Sequence, residues 1–177
     1  QIFLILISIS SFMITVLPAT ATDFGTIRSI AHETWPIAYG EILSKAQLDY
    51  MLGAFYNDTA LKESVSQKGH HYVLANEGNQ TVGFASFEWN YDQQKQTKIH
   101  KIYILPSAQG KGVGKALIDY IATEARKQGS LTLCLNVNRF NKAITFYEKM
   151  GFSIISEVNI ELEHGYLMED YVMERPV

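Results

Sequence analysis

Apolar positions along the chain switch between an alternating and a helical period, and the switches lay out the elements. Ile14 to Leu17 reads as a short strand ended by Pro18, and Asp23 can cap a helix running toward Trp35 that stops at Pro36. Leu48, Met51, Leu52 and Phe55 share a helical face behind a cap at Ser44, and a third, short helix is expected over Thr59 to Val65. His71 to Ala75 and Thr81 to Trp89 read as strands of a hairpin turned at Glu77-Gly78-Asn79. Thr97 to Leu105 is β-rich and ends at Pro106, after which Val113, Leu117, Tyr120, Ile121 and Ala125 follow helical spacing up to Gly129. Leu131 to Val137 is a strand, Asn141 can cap a helix through Met150, and Ser153 to Leu162 and Tyr166 to Met173 are two strands around Glu163-His164-Gly165. Hairpins at both ends with β-α-β units between them predict an α/β (α+β) chain, a mixed sheet with helices on its faces.

At 177 residues, with 47% hydrophobic and 19% charged positions, the chain fits one domain with an ordinary core. Its single cysteine, Cys134, excludes an internal disulfide framework and a cysteine-based zinc finger, favours a reducing, cytoplasmic address, and reads as an inert core residue. Residues 2–17 are apolar apart from Ser8, Ser10, Ser11 and Thr15. That run is shorter than the roughly 20 residues of a spanning helix and has no flanking Lys or Arg, so no membrane partner is expected. Residues 1–12 read as an upstream or non-native extension, with a signal or anchor as the alternative, and 13–177 as the functional domain.

Charge changes the picture more than composition does. The net charge of −3 conceals a segment from Lys95 to Lys149 with ten basic and three acidic residues, a local +7 against −10 elsewhere. Such a division suits an anionic ligand held in one place. Inside the basic segment, Gln109-Gly110-Lys111-Gly112-Val113-Gly114-Lys115 joins the end of a strand to the start of a helix. Glycines permit positive φ and close approach, and successive N–H groups at a helix start form an anion cradle. The loop is not a P-loop, because Ala116 stands where Ser or Thr would ligate magnesium. Nor is it a dinucleotide fingerprint, because the third glycine would fall on Lys115.

These residues resemble a known family. Gln109 to Gly114 is similar to the Q/R-x-x-G-x-G/A signature of the GNAT superfamily of acetyl-CoA-dependent N-acetyltransferases. The segment Leu135 to Phe152, through Asn141 and with Ala143, Phe146, Tyr147, Gly151 and Phe152 spaced as A-x-x-F-Y-x-x-x-G-F, resembles that family's other hallmark, and the acidic-aromatic ending Gly165 to Glu174 looks like its bacterial polyamine-acetyltransferase branch. The resemblance implies a single domain around a mostly antiparallel sheet of about six to seven strands with helices on both faces. It also implies that Gln109, Gly110, Lys111, Gly112, Val113, Gly114 and Lys115 bind the acetyl-CoA pyrophosphate, and that the backbone of Ile102, Tyr103 and Ile104 pairs with the pantetheine arm. Asn141 would hydrogen-bond the pantetheine, and Tyr147 would stand near the sulfur.

Acetyl transfer to an amine needs a neutral nucleophile and a protonated leaving thiol. Tyr147 is the candidate acid. The strand before the glycine loop lacks the glutamate that many members carry there and offers Lys98, Ile99, His100 and Lys101, which leaves His100 or, through water, Glu88 as candidate bases. His70 and His71 have no Cys or carboxylate partner at ligand spacing, so no metal is expected. Glu33, Trp35, Tyr39 and Glu41 at one end, with Glu169, Asp170 and Tyr171 at the other, would suit an organic cation. A polyamine or other small primary amine is therefore the expected acceptor. A peptide N-terminus or lysine, or a non-catalytic acyl-CoA-binding module, are the alternatives. No nucleic-acid partner is expected, and a homodimer is allowed.

Overall fold

The structure, a computed structural model, describes residues 13–177, so the expected extension 1–12 lies outside the described residues. Seven strands form one sheet: β1 (Ile14–Pro18), β2 (His70–Glu77), β3 (Gln80–Glu88), β4 (Gln96–Ile104), β5 (Thr132–Asn138), β6 (Ser153–Glu161) and β7 (Leu167–Pro176), in the order β1-β2-β3-β4-β5-β7-β6. Every pairing is antiparallel except β4 with β5, where helix α4 (Val113–Lys127) supplies the crossover. The other helices are α1 (Phe24–Tyr39), α2 (Lys45–Tyr56), α3 (Asp58–Ser66) and the short α5 (Ile144–Lys149).

Alternation along the strands builds a core on each face. Tyr72, Leu74 and Phe84 pack with Ile27, Trp35, Met51 and Leu61 beneath α1, α2 and α3. Val73, Val82, Ala85, Phe87, Ile99 and Leu135 pack with Leu117, Ile118 and Ile121 of α4 on the opposite face. The Ser44 cap is as expected: its Oγ accepts the Gln47 N–H (3.2 Å) at the start of α2, and Asn57 Oδ1 accepts the Ala60 N–H (2.8 Å) at the start of α3, whereas Asn141 does not cap α5, which begins at Ile144 behind Ala143.

Two further expectations are corrected. Helix α1 does not stop at Pro36 but continues to Tyr39, and Gly40 N–H closes the last turn on Pro36 O (3.0 Å). A proline so near the end forfeits one bond of the ladder and leaves the final turn intact. Asp23 spends its carboxylate on the Thr20 N–H (2.7 Å) in the 3-10 turn before α1, so it does not cap α1 itself.

Candidate active site

The parallel pairing of β4 and β5 has only four rungs, from Gln96 opposite Thr132 to Ile99 opposite Leu135. Beyond Ile99 the strands part, β4 staying with β3 and β5 with β7. The gap opens into a cleft of about 620 Å³ between the α1–α2 connection, the start of α4 and α5. Backbone groups on the facing edges of Ile102–Ile104 and Asn136–Val137 line it, as a strand-like ligand requires.

The glycine loop forms one end of the cleft. Gly110 (φ 76°) and Gly112 (φ 81°) take left-handed conformations, and Gly112 caps α4. Intrahelical bonding begins with Ala116 N–H to Gly112 O (3.0 Å), so the earlier amides of the turn remain available to an anion. Gly114 meets another demand: a Cβ there would lie 2.7 Å from Phe146 Cζ and 3.2 Å from Ile104 Cδ1, so any side chain would have to shift those two tips for α4 to seat against α5 and β4. Lys111 pairs with Glu77 (3.0 Å) and Lys115 with Asp119, both on the surface. Exposed pairs of this kind are weak and readily exchanged for phosphate.

Tyr147, on α5, is buried at the cleft wall with no hydrogen-bond partner for its hydroxyl among the described residues, and burial pushes its phenol well above the ordinary tyrosine value. Asn141 lines the same wall, its Oδ1 accepting the Ala143 N–H (2.8 Å).

A profile of the acetyltransferase (GNAT) family matches residues 26–152. The chain belongs to that family. Among its relatives, an uncharacterized N-acetyltransferase of Mycobacterium tuberculosis is 26% identical over 155 residues, covering 87% of this chain and 97% of the relative. An L-amino acid N-acyltransferase of Escherichia coli is 28% identical over 105 residues, 58% of this chain and 61% of the relative. The fold is similar to that of a PaiA N-acetyltransferase from Thermoplasma acidophilum solved with coenzyme A, with TM-score 0.76 and 22% identity over 93% of this chain and 99% of that one. The protein is thus an N-acetyltransferase that uses acetyl-CoA.

Within this GNAT domain the two candidate bases lie in contact. Ser86 of β3 faces Lys101 while Phe87 faces Ile99, so His100 is the extra residue of a bulge on β4. The bulge breaks the alternation, and both His100 and Lys101 line the cleft. His100 Nε2 lies 2.8 Å from Glu88 Oε2, and the His70 ring stacks on His100 with centroids 4.0 Å apart. The expectation that His70 has no carboxylate partner is therefore corrected: Glu88 is its cross-strand neighbour. His71 points to the opposite face, stacked on Phe87 (5.6 Å).

Burial first, then the ammonium groups of Lys101 and Lys68, lower His70 to about 4, and burial with the same surroundings also keeps His100 neutral at pH 7. Burial pushes Glu88 above the usual carboxylate range, with Lys98 opposing. Cys134 is pushed up to about 11 in its buried strand, an inert thiol.

The histidine shifts fix a pH dependence of stability. An unfolded histidine titrates near ~6.5. His70 folded resists its proton down to about 4, so below the unfolded value the unfolded chain binds more protons. Stability contributed by a neutral His70 is complete above about pH 6.5 and declines as pH falls toward 4, by at most about 1.4 kcal/mol per unit. Thermal melts should show Tm falling through that window, and His70→Gln should fall less steeply. Equal slopes would mean that His70 is not buried neutral.

The acceptor-wall expectations fare differently. Tyr39 lines the cleft, its hydroxyl 3.2 Å from that of Tyr103, and Glu41 stands at the mouth. Trp35 is corrected: it is 4% exposed, packed at tilted and edge-on angles among Tyr39, Tyr56 and Tyr103, and supports the wall from within the core. Glu33 is exposed away from the cleft. Glu169 is held by Arg139 (3.0 Å), and Asp170 is buried beside Asn136, neither of them on the lining. Lys101 and the Tyr103 hydroxyl escaped the sequence reading, since only the bulge and the helix packing turn them toward this space.

Proposed function

We propose that the protein transfers acetyl from acetyl-CoA directly to a small primary amine in a ternary complex, with the Glu88–His100 pair drawing the proton from the amine and Tyr147 giving one to the leaving thiolate. The observation that carries this is the convergence on one cleft of the glycine cradle, the parted edges of β4 and β5, the Tyr147 hydroxyl and the bulged His100.

An alkylamine of ordinary pKa, about 10.4, is protonated at pH 7 and must lose a proton to attack. With Glu88 ionised, His100 donates its Nε2–H to the carboxylate, which leaves Nδ1 to accept from the amine. A proton arriving at Nδ1 is matched by passage of the Nε2 proton to Glu88. The charge thus ends on a carboxyl whose affinity for protons is raised by burial, and no lasting imidazolium forms among the lysines. The amine nitrogen forms the new bond to the acetyl carbon, the C–S bond breaks, the thiolate takes a proton from Tyr147, and the second proton shed by the acylated nitrogen restores the phenol through solvent. Burial holds the phenol above its ordinary value, so Tyr147 keeps its proton at neutral pH and presents an O–H to the developing thiolate.

Polyamine selectivity loses support, because Glu33, Glu169 and Asp170 lie off the cleft lining. Relatives named for L-amino acids and for a ribosomal-protein alanine favour a small or terminal α-amine instead. A binding-only module is disfavoured by Tyr147 and the Glu88–His100 pair, which binding alone does not require.

Release of free CoA thiol across an amine panel tests transfer. Tyr147→Phe keeps the ring and removes the donor. It should lower kcat by about 10–100-fold with little change in KM for acetyl-CoA, since only a transition-state interaction is lost. Full kcat in Tyr147→Phe would assign thiolate protonation to water.

A further inference from the structure

We propose that Lys101 receives a carboxylate of the acceptor, so that the amine acetylated here is one that carries a carboxylate beside its amino group. This rests on the acetyltransferase reading above and narrows its substrate.

Lys101 lines the cleft one residue beyond His100, only part-exposed, and makes no hydrogen bond or ion pair among the described residues. Its ammonium lies 5.6 Å from the centroid of the Tyr56 ring. The other lysines on the lining are engaged, Lys115 with Asp119 and Lys142 with Glu41 (3.6 Å) at the mouth, and Lys98, off the lining, donates to Asn136 Oδ1. Burial lowers Lys101 to about 8, which leaves it mostly protonated at pH 7 yet stripped of water. A desolvated cation without a counter-ion is unfavourable until an anion completes it.

The surrounding field has the same sign. Lys68 and Lys98 depress His100 together with Lys101, and both neighbouring imidazoles are neutral. His70, Glu88 and His100 do offer ligand atoms within 4.8 Å of one another, as a divalent cation would require. Three nearby ammonium groups oppose such an ion, and the near-parallel stacking of the two rings, 15° apart, does not aim both at one point. The same field favours an anion and repels a second ammonium, so a diamine gains nothing here. A carboxylate on Lys101 would leave the adjoining amine toward His100, where its proton departs.

The experiment compares L-amino acids with their primary amides in the thiol-release assay, using wild type and Lys101→Met, which keeps the aliphatic stem. In the wild type kcat/KM for the preferred acid should exceed that for its amide about tenfold or more. Lys101→Met should lower it for the acid roughly 10–100-fold, chiefly through KM, and leave the amide and the KM for acetyl-CoA within about twofold. Equal handling of acid and amide by the wild type, or equal losses on both in Lys101→Met, would overturn the assignment. Absence of thiol release with every amine, putrescine and spermidine included, would instead sink the transferase reading. In that case calorimetric binding of N-acetylated amino acids and their amides still tests the carboxylate site: preference for the acid that vanishes in Lys101→Met supports it, and none refutes it.

Discussion

Gly112→Asp weakens acetyl-CoA binding about a hundredfold by calorimetry, while Lys62→Asp on the exposed face of α3 leaves it unchanged. Gly112 caps α4 in a left-handed conformation (φ 81°), and a Cβ built there meets nothing within 4 Å, so a side chain points into open space at the phosphate cradle. Aspartate puts a negative charge where the amides and Lys111 await one. A loss of about 2.8 kcal/mol, the like-charge contact plus a blocked amide, is a hundredfold in Kd. Gly112→Ala separates the effects: it adds left-handed strain of roughly 1–2 kcal/mol to folding without charge, so stability should fall more than binding. Unaltered affinity in Gly112→Asp would remove the loop from the cofactor site.

Glu88→Gln should lower kcat by about 10²–10³-fold, within the range of general base catalysis. Glutamine preserves size and can still accept from His100, so packing and binding of both substrates should change little. The proton passed through His100 loses its destination, however. In the wild type the acid limb of the kcat profile should follow the ionisation of Glu88, rising with pH through a value above the ordinary carboxylate range because burial disfavours the charged form. That limb should vanish from Glu88→Gln. A variant retaining full kcat and an unchanged limb would mean that the amine sheds its proton straight to solvent.

Some of this is local chemistry that the sequence alone determined. The strands and helices follow from apolar periodicity, and caps such as Ser44 and Asn57 act within one turn of themselves. The glycine loop is equally local, since positive φ at Gly110 and Gly112 and a helix start at Val113 need no distant partner. Membership of the acetyltransferase family was legible for the same reason, both hallmark segments being contiguous in the chain.

The acceptor end was decided by tertiary structure. Which face a strand residue occupies depends on register, and a single bulged residue reverses it. The bulge at His100 turns His100 and Lys101 together to the cleft, where plain alternation would separate them. Glu88 and His70 meet across β2 and β3 although 18 positions separate them in the chain, a pairing no spacing rule reveals. Glu33, Glu169 and Asp170 were legible as acids, but the exposed face of α1 for Glu33, the Arg139 contact for Glu169 and burial beside Asn136 for Asp170 keep them off the cleft lining. Charge type is written residue by residue, whereas the sign of the field inside a cleft is a sum over side chains that only packing brings together.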